Sequence, residues 1–319
     1  MEERSVYLNG EFLPESRATI SIFDRGFTSG EGIYEATRTF RHRLFRLDRH
    51  LDRLYNSLRY VRIDCGLSKA EMDGVCVELV DRNLPLLAAD DDYSLWHVIT
   101  RGPRLPGTGT TTRPTVAVFV QPVDFVRYAR SYLEGAVLVT PATRRTPPQC
   151  LDPKAKITNK MNHNVALFEA QQVDARAIPL MLDLDGNLSE TDTTNVFFAS
   201  RGRLFTPSAR TVLGGITREA IFELAAKLGI EVVEGDFTPF DMYAADEAFI
   251  SGTSGSIVPV ASLNGVASSG DLPGPLTMRL IRAWNELVGV DYVAQAVRHL
   301  GDNEAKDLMA VWERRLADA

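Results

Sequence analysis

The chain has 319 residues, 45% of them hydrophobic and 24% charged, with a formal net charge of −7 at pH 7. That much apolar sequence supports more than one usual domain core, and the acidic balance argues against nucleic acid as the main partner, because phosphate binding needs clustered Lys and Arg. No apolar run approaches the ~20 residues of a membrane span, no signal-peptide pattern opens the chain, and Cys65, Cys76 and Cys150 form neither a CxxC pair nor a ligand spacing with histidine, which argues against disulfides and metal and for a reducing, cytoplasmic setting.

In chain order, residues 6–8 and 11–13 flank an Asn9-Gly10 turn, a hairpin signal. Residues 32–40 alternate as a strand, with Ile33 and Glu35 on one face and Tyr34, Ala36 and Arg38 on the other. Arg41-His42-Arg43 and Arg46 are interleaved with apolar residues and read as one face of a hairpin. Apolar spacing at Leu51, Leu54, Leu58 and Val61 predicts a helix over 47–61, and a second follows over 69–80. Residues 94–100 and 115–120 read as strands, and the Gly-, Pro- and Thr-rich stretch 102–114 between them as a loop. Residues 122–132 read as a connection. Beyond it, helices are expected near 161–172 and 217–228, strands near 179–184, 195–199, 231–234 and 247–251, and one or two charged helices over 291–319. The expectation is an α+β chain: a small N-terminal α/β lobe over 1–121, an interdomain loop over 122–133, and a larger lobe over 134–319 ending in a helical extension.

Lysine is scarce, and three of the six fall in Pro153-Lys154-Ala155-Lys156-Ile157-Thr158-Asn159-Lys160. On local residues alone a solvated basic loop is the default. A lysine that forms a Schiff base needs instead a desolvated, partly neutral amine beside a carbonyl compound. Farther on, an Asp185-Gly186 turn precedes Glu190, a hydroxyl-rich stretch through Thr194, and the apolar run from Asn195. Such a loop is either a surface hairpin or a means of placing one carboxylate in a pocket. Leu213-Gly214-Gly215-Ile216-Thr217 opens an amphipathic helix, and Ser251-Gly252-Thr253-Ser254 follows a strand. Each is a weak anion cradle by itself, and the two together suit a phosphate.

This order of motifs resembles the class IV aminotransferases, the fold-type IV enzymes that use pyridoxal 5′-phosphate (PLP). The resemblance runs from Phe23-Asp24-Arg25-Gly26-Phe27 to about Trp284. It implies that Lys156, thirteen residues before Glu169-Ala170 and shortly before Asn159, carries the cofactor as a Schiff base. It implies that Glu190, five residues before Asn195, faces the pyridine nitrogen, and that Thr194 and Asn195 lie beside the cofactor. The phosphate cup would be Arg53 of His50-Leu51-Asp52-Arg53-Leu54, the turn Gly215-Ile216-Thr217, and Thr253 with Ser254. The implied reaction is ping-pong transfer of an amino group to a 2-oxo acid, in a homodimer or higher homo-oligomer.

Substrate choice is less constrained. Arg38 resembles branched-chain aminotransferases, and Tyr34 in Gly30-Glu31-Gly32-Ile33-Tyr34-Glu35 also resembles D-amino-acid transaminases. Arg101, in Thr100-Arg101-Gly102-Pro103-Arg104, resembles the latter group and the (R)-amine transaminases. The carboxylate-binding Arg-x-His pair is incomplete after Arg104. Tyr34, Arg38 and Arg101 are the candidate substrate residues, and a branched-chain-like amino acid is the expected donor. Aminodeoxychorismate lyase and a non-catalytic PLP-binding protein stand as alternatives.

Overall fold

The computed structural model describes residues 3–104 and 113–318. The greater part of the Gly-, Pro- and Thr-rich stretch expected as a loop lies outside the described residues. The chain divides into two compact units, Met1–Val123 with Ala155–Lys160, and Asp124–Lys154 with Met161–Ala319.

The first unit contains β1 (Ser5–Leu8), β2 (Glu11–Pro14), α1 (Arg25–Ser29), β3 (Gly32–Phe40), β4 (Arg43–Leu44), α2 (Leu47–Val61), α3 (Lys69–Asn83), β5 (Tyr93–Thr100) and β6 (Thr115–Pro122). They build one sheet in the order β2-β1-β6-β5-β3-β4. The Asn9-Gly10 hairpin forms as the sequence predicts, with both residues at positive φ (53° and 104°), as a two-residue turn between twisted strands requires. Arg41 and His42 adopt the same sign of φ (51° and 67°) and form the β3–β4 turn, so these basic residues cap a hairpin as well as flank it.

Alternation along β3 sorts its side chains between the core and the opposite face of the sheet. Ile33 and Glu35 turn inward with Leu95, Ile99, Val116 and Val118, and Leu51, Leu54 and Leu58 of α2 and Met72, Cys76 and Leu79 of α3 complete that core. Each fully buried aliphatic side chain contributes roughly 1.5–3 kcal/mol. Asp24 is fully buried and accepts from Gly26 N (2.7 Å), Thr100 Oγ1 (2.6 Å) and Thr115 Oγ1 (2.5 Å). The Asp-Arg-Gly segment is thereby tied to two strands. A Cβ on Gly26 would sit 2.3 Å from Thr100 Cγ2, so the close approach demands glycine.

The second unit contains α4 (Phe125–Glu134), β7 (Ala136–Val139), α5 (Met161–Val173), β8 (Ile178–Pro179), β9 (Asn195–Ser200), β10 (Arg203–Pro207), α6 (Ile216–Lys227), β11 (Val232–Gly235), α7 (Pro239–Tyr243), β12 (Glu247–Gly252), β13 (Ser256–Leu263), β14 (Val266–Ala267), α8 (Pro275–Val288), α9 (Tyr292–Val297) and α10 (Asp302–Asp318). Its sheet runs β11-β10-β9-β12-β13-β7-β8, with β14 on β13.

Two expectations are corrected, and one helix is new. The stretch read as a connection is helical: Asp124 caps α4 by accepting from Arg127 N, and Phe125, Ala129, Tyr132 and Leu133 bury one face. The strand expected over 179–184 shrinks to Ile178–Pro179 and a lone Leu182–Leu188 bridge, because Asp183 folds the chain into a turn by accepting from Asp185 N and Asn187 N. The helix α8 has no counterpart in the sequence reading. Pro275 starts it, and buried Glu247 caps it by accepting from Leu276 N (2.9 Å) and Thr277 N (2.8 Å). The charged C-terminal stretch is two helices, as expected. Trp312 Nε1 donates to Asp291 Oδ2 (2.8 Å) and Arg315 Nη1 to the Leu133 carbonyl (2.9 Å), which seats the extension on its own unit. No described helix is long and apolar enough to cross a membrane.

Candidate active site

In the first unit, the lysine segment joins β3 and α2. The Lys156 carbonyl accepts from Tyr34 N (2.9 Å), Ile157 bridges Ile33, and Lys156 N donates to Ser57 Oγ (3.2 Å). Lys156 is half-buried, whereas Lys154 is exposed. The Lys156 Nζ lies 4.4 Å from the centroid of the Tyr34 ring. That ring stacks on Trp96 (6.0 Å between centroids), and Trp96 stacks on Phe119 (6.5 Å). An aromatic row therefore crosses β3, β5 and β6 on the face that Lys156 meets.

The opposite face of β3 buries Glu35 completely. Its carboxylate accepts from Arg53 Nε (2.8 Å) and Nη2 (2.7 Å), His50 Nδ1 (3.1 Å) and Ala36 N (2.9 Å). Burial alone would raise its pKa. The Arg53 guanidinium and His50 outweigh burial and hold it well below the usual carboxylate range. Burial lowers the pKa of His50, and its bond to Glu35 opposes the shift only in part. Arg53 is thus fixed by a two-pronged charge-assisted pair, the geometry for which a guanidinium is suited.

The candidate substrate residues differ in their engagement. Tyr34 and Arg38 share the lysine face of β3, as alternation predicts. Arg38 is buried (1% exposed), with its guanidinium carbon 4.5 Å from the Phe40 ring centroid. Arg101 is drawn elsewhere: it donates to Glu31 Oε2 (2.7 Å) and to the Arg62 (3.0 Å) and Val61 (2.7 Å) carbonyls at the end of α2.

In the second unit, the remaining predicted residues converge. Glu190 is buried, with Oε1 accepting from Arg145 Nε (2.9 Å) and Oε2 from Leu213 N (2.9 Å). Asn195 Nδ2 donates to the Leu213 carbonyl (2.9 Å), so one loop residue, shortly before α6, joins Glu190 and Asn195. A Cβ on Gly215 would lie 2.2 Å from Asn195 Oδ1, and one on Gly252 would lie 2.9 Å from Thr194 Cγ2. Both glycines are therefore set by contact. Gly215 caps α6 without a side chain, which leaves the Ile216 and Thr217 amides pointing out of a helix N-terminus. Thr253 and Ser254 form the turn between β12 and β13. The Ser251 hydroxyl, beside Asn195 in the ladder, is buried with no hydrogen-bond partner among the described residues.

Sequence reasoning missed Ser57 and Arg145 as participants. Ser57 carries no signal beyond lying one turn after Arg53. Arg145 was visible only within Arg144-Arg145-Thr146-Pro147-Pro148, a stretch that resembles the (R)-amine transaminases. The Glu169-Ala170 pair has a structural meaning: Glu169 accepts from Thr143 N (2.9 Å), and Ala170 packs against Val139 and Ala177.

The Amino-transferase class IV family profile matches residues 32–263. A Methanocaldococcus jannaschii protein, provisionally named a branched-chain-amino-acid aminotransferase, is 33% identical over 88% of this chain and 96% of its own length. A D-alanine aminotransferase of Bacillus licheniformis is 32% identical over 85% of this chain and 93% of its own. A solved branched-chain amino acid aminotransferase from T.th., with pyridoxamine 5′-phosphate, superposes with a TM-score of 0.81 at 25% identity, covering 91% of this chain and 95% of that one. The chain belongs to the class IV aminotransferases, with the mixed α+β fold of the fold-type IV enzymes, and it is a PLP-dependent transaminase.

Proposed function

We propose that Lys156 carries the cofactor, that Glu190 pairs with its ring nitrogen, and that Arg53, the Ile216 and Thr217 amides, and Thr253 with Ser254 hold its phosphate, with Thr194, Asn195 and Gly215 shaping the cup. The observation that carries this reading is the tie of Glu190 to Leu213, in the same loop whose Gly215 opens α6. It puts a buried carboxylate and an anion-binding helix end on one scaffold. The residues fit PLP in their donor chemistry as well. Gly215 and Gly252 let Asn195 and Thr194 lie close against the turns that would form the cup, and among the described residues the buried Ser251 hydroxyl has a hydrogen bond to give.

PLP, when bound, supplies an electron sink for the substrate carbon. The chain's own residues do the rest. Glu190 presents a negative charge to the ring nitrogen and keeps that atom protonated. The Lys156 amine, when free, would take the proton from the substrate carbon and return it to the carbonyl-derived carbon of the cofactor, two atoms along. Borohydride reduction and peptide mapping test the assignment. Label is expected on Lys156, and label on Lys154 or Lys160 overturns it.

The substrate reading is an amino acid, branched-chain-like, exchanging with a 2-oxo acid in ping-pong fashion. Its support is Arg38, a buried guanidinium on the lysine face, together with the branched-chain name of the archaeal relative. The guanidinium of Arg101 serves Glu31 and the end of α2. A D-amino-acid donor is the second reading, favoured by the Bacillus licheniformis relative. A half-reaction screen separates them, following cofactor absorbance with L-leucine, L-valine, D-alanine, D-glutamate and (R)-1-phenylethylamine. The apolar side chains Ile22, Phe23 and Phe27 are each about two-thirds or more exposed (70%, 67%, 73%), which supports assembly into at least a homodimer, and the scattered cysteines support a cytoplasmic setting. An active monomer in sedimentation at assay concentration overturns the assembly.

A further inference from the structure

One turn of α2 carries two groups with linked duties. Arg53 reaches to Glu35 through its side chain. Four residues on, Ser57 is buried, and its hydroxyl donates to the Arg53 carbonyl (2.8 Å) while accepting from the Lys156 amide (3.2 Å). A hydroxyl has one hydrogen and two lone pairs, so one side chain makes both bonds at once. The carbonyl of the same lysine is held by Tyr34 N at 2.9 Å. Outside a single Ile157–Ile33 bridge, whose bonds hold the Lys156 carbonyl and the Thr158 amide, residues 155–160 belong to no regular element, so the Lys156 amide is held by the Ser57 hydroxyl.

We infer that Ser57 is a positioning residue, which sets the Lys156 backbone against Arg53 through a single helical turn. This rests on the roles proposed above for Lys156 and Arg53. A molecule bonded to the lysine and gripped at its phosphate by the arginine requires a fixed span between the two groups. Glu35 immobilises the guanidinium. The bridge to β3 holds the carbonyl side of Lys156, and Ser57 holds its amide side.

Ser57→Ala deletes both bonds and keeps the Cβ, Ser57→Thr keeps the hydroxyl, and Ser57→Cys keeps a weak donor and acceptor. Amide hydrogen exchange at Lys156 in the cofactor-free protein is expected to quicken about tenfold in Ser57→Ala, with Ser57→Thr close to the parent and Ser57→Cys between. Release of PLP from the loaded Ser57→Ala enzyme should quicken by about three- to tenfold, and kcat should fall by a similar factor with KM for the amino donor unchanged. Unchanged exchange at Lys156 in Ser57→Ala overturns the inference, even if activity drops, because the loss then comes from general destabilisation. If Ser57→Thr does not fold, the intermediate Ser57→Cys value carries the test, and exchange equal to that of Ser57→Ala counts against a hydrogen-bonding role. Borohydride label away from Lys156 overturns the cofactor assignment. Label on Lys156 with unaltered exchange in Ser57→Ala overturns this inference alone.

Discussion

Arg145 Nε donates to Glu190 Oε1 at 2.9 Å, and both side chains are nearly buried (11% and 7% exposed). The second carboxylate oxygen receives the Leu213 amide. Glu190 therefore meets any further partner as a restrained, ion-paired carboxylate with a lone pair still available on each oxygen. Glu190→Gln keeps the shape but loses the charge. It should retain bound PLP yet lose most of its turnover, and cofactor absorbance beside initial rates checks this. An unchanged rate would place the ring-nitrogen acid elsewhere. Arg145→Ala should destabilise the cofactor-free protein by about 2 kcal/mol, the usual worth of a hydrogen bond to a charged group, as read by urea unfolding.

Gly215→Ala tests the packing of the cup. The added Cβ would fall 2.2 Å from Asn195 Oδ1, so Asn195 or the α6 entrance has to shift. The expected cost is about 1–3 kcal/mol of stability, as for overpacking elsewhere, together with weaker PLP retention on dialysis. Gly214→Ala is the control, because nothing lies within 4 Å of its Cβ position.

Arg38 should govern substrate class. Arg38→Ala is expected to lower kcat/KM for amino acids and 2-oxo acids by about ten- to hundredfold, the worth of one charge-assisted bond. Amines without a carboxylate should lose far less. Equal losses for 2-oxoglutarate and 1-phenylethylamine would show that Arg38, packed on Phe40, supports the fold instead.

Acid should weaken the first unit through its buried histidines. Burial pushes His97 down to about 4, against a smaller upward pull from Glu35, and it also lowers His50. The unfolded chain then binds protons that the folded chain refuses. The stability they contribute is complete above about pH 6.5 and falls as pH drops toward 4. For fully buried His97 the total is about 3 kcal/mol. Glu35, held well below the carboxylate range, adds a further loss below about pH 4.5. Unfolding curves between pH 7 and 4 should show the decline, and His97→Gln should flatten the part above pH 4.5. A pH-independent midpoint in the parent protein would contradict it.

Much of this protein was determined by its sequence alone. Period-two alternation in 32–40 separated Glu35 from Arg38 before any fold was known, because successive strand residues point to opposite faces. The 3.6-residue spacing of Leu51, Leu54 and Leu58 located α2 to the residue, and Asn9-Gly10 specified a turn whose backbone few other residues adopt. These are local signals, set by sterics within a few bonds. Tertiary structure decided the partners. The spacing of Lys156, Glu190 and Arg53 suggested a family, but no sequence pattern states that Ser57 meets the lysine amide across 99 positions, or that Arg145 meets Glu190 across 45. Nor does one show that Arg101 is drawn to the end of α2. Arginine and serine satisfy many acceptors equally well in isolation. Which acceptor each finds depends on which buried groups the folded chain leaves nearby, and burial is a property of the packed whole.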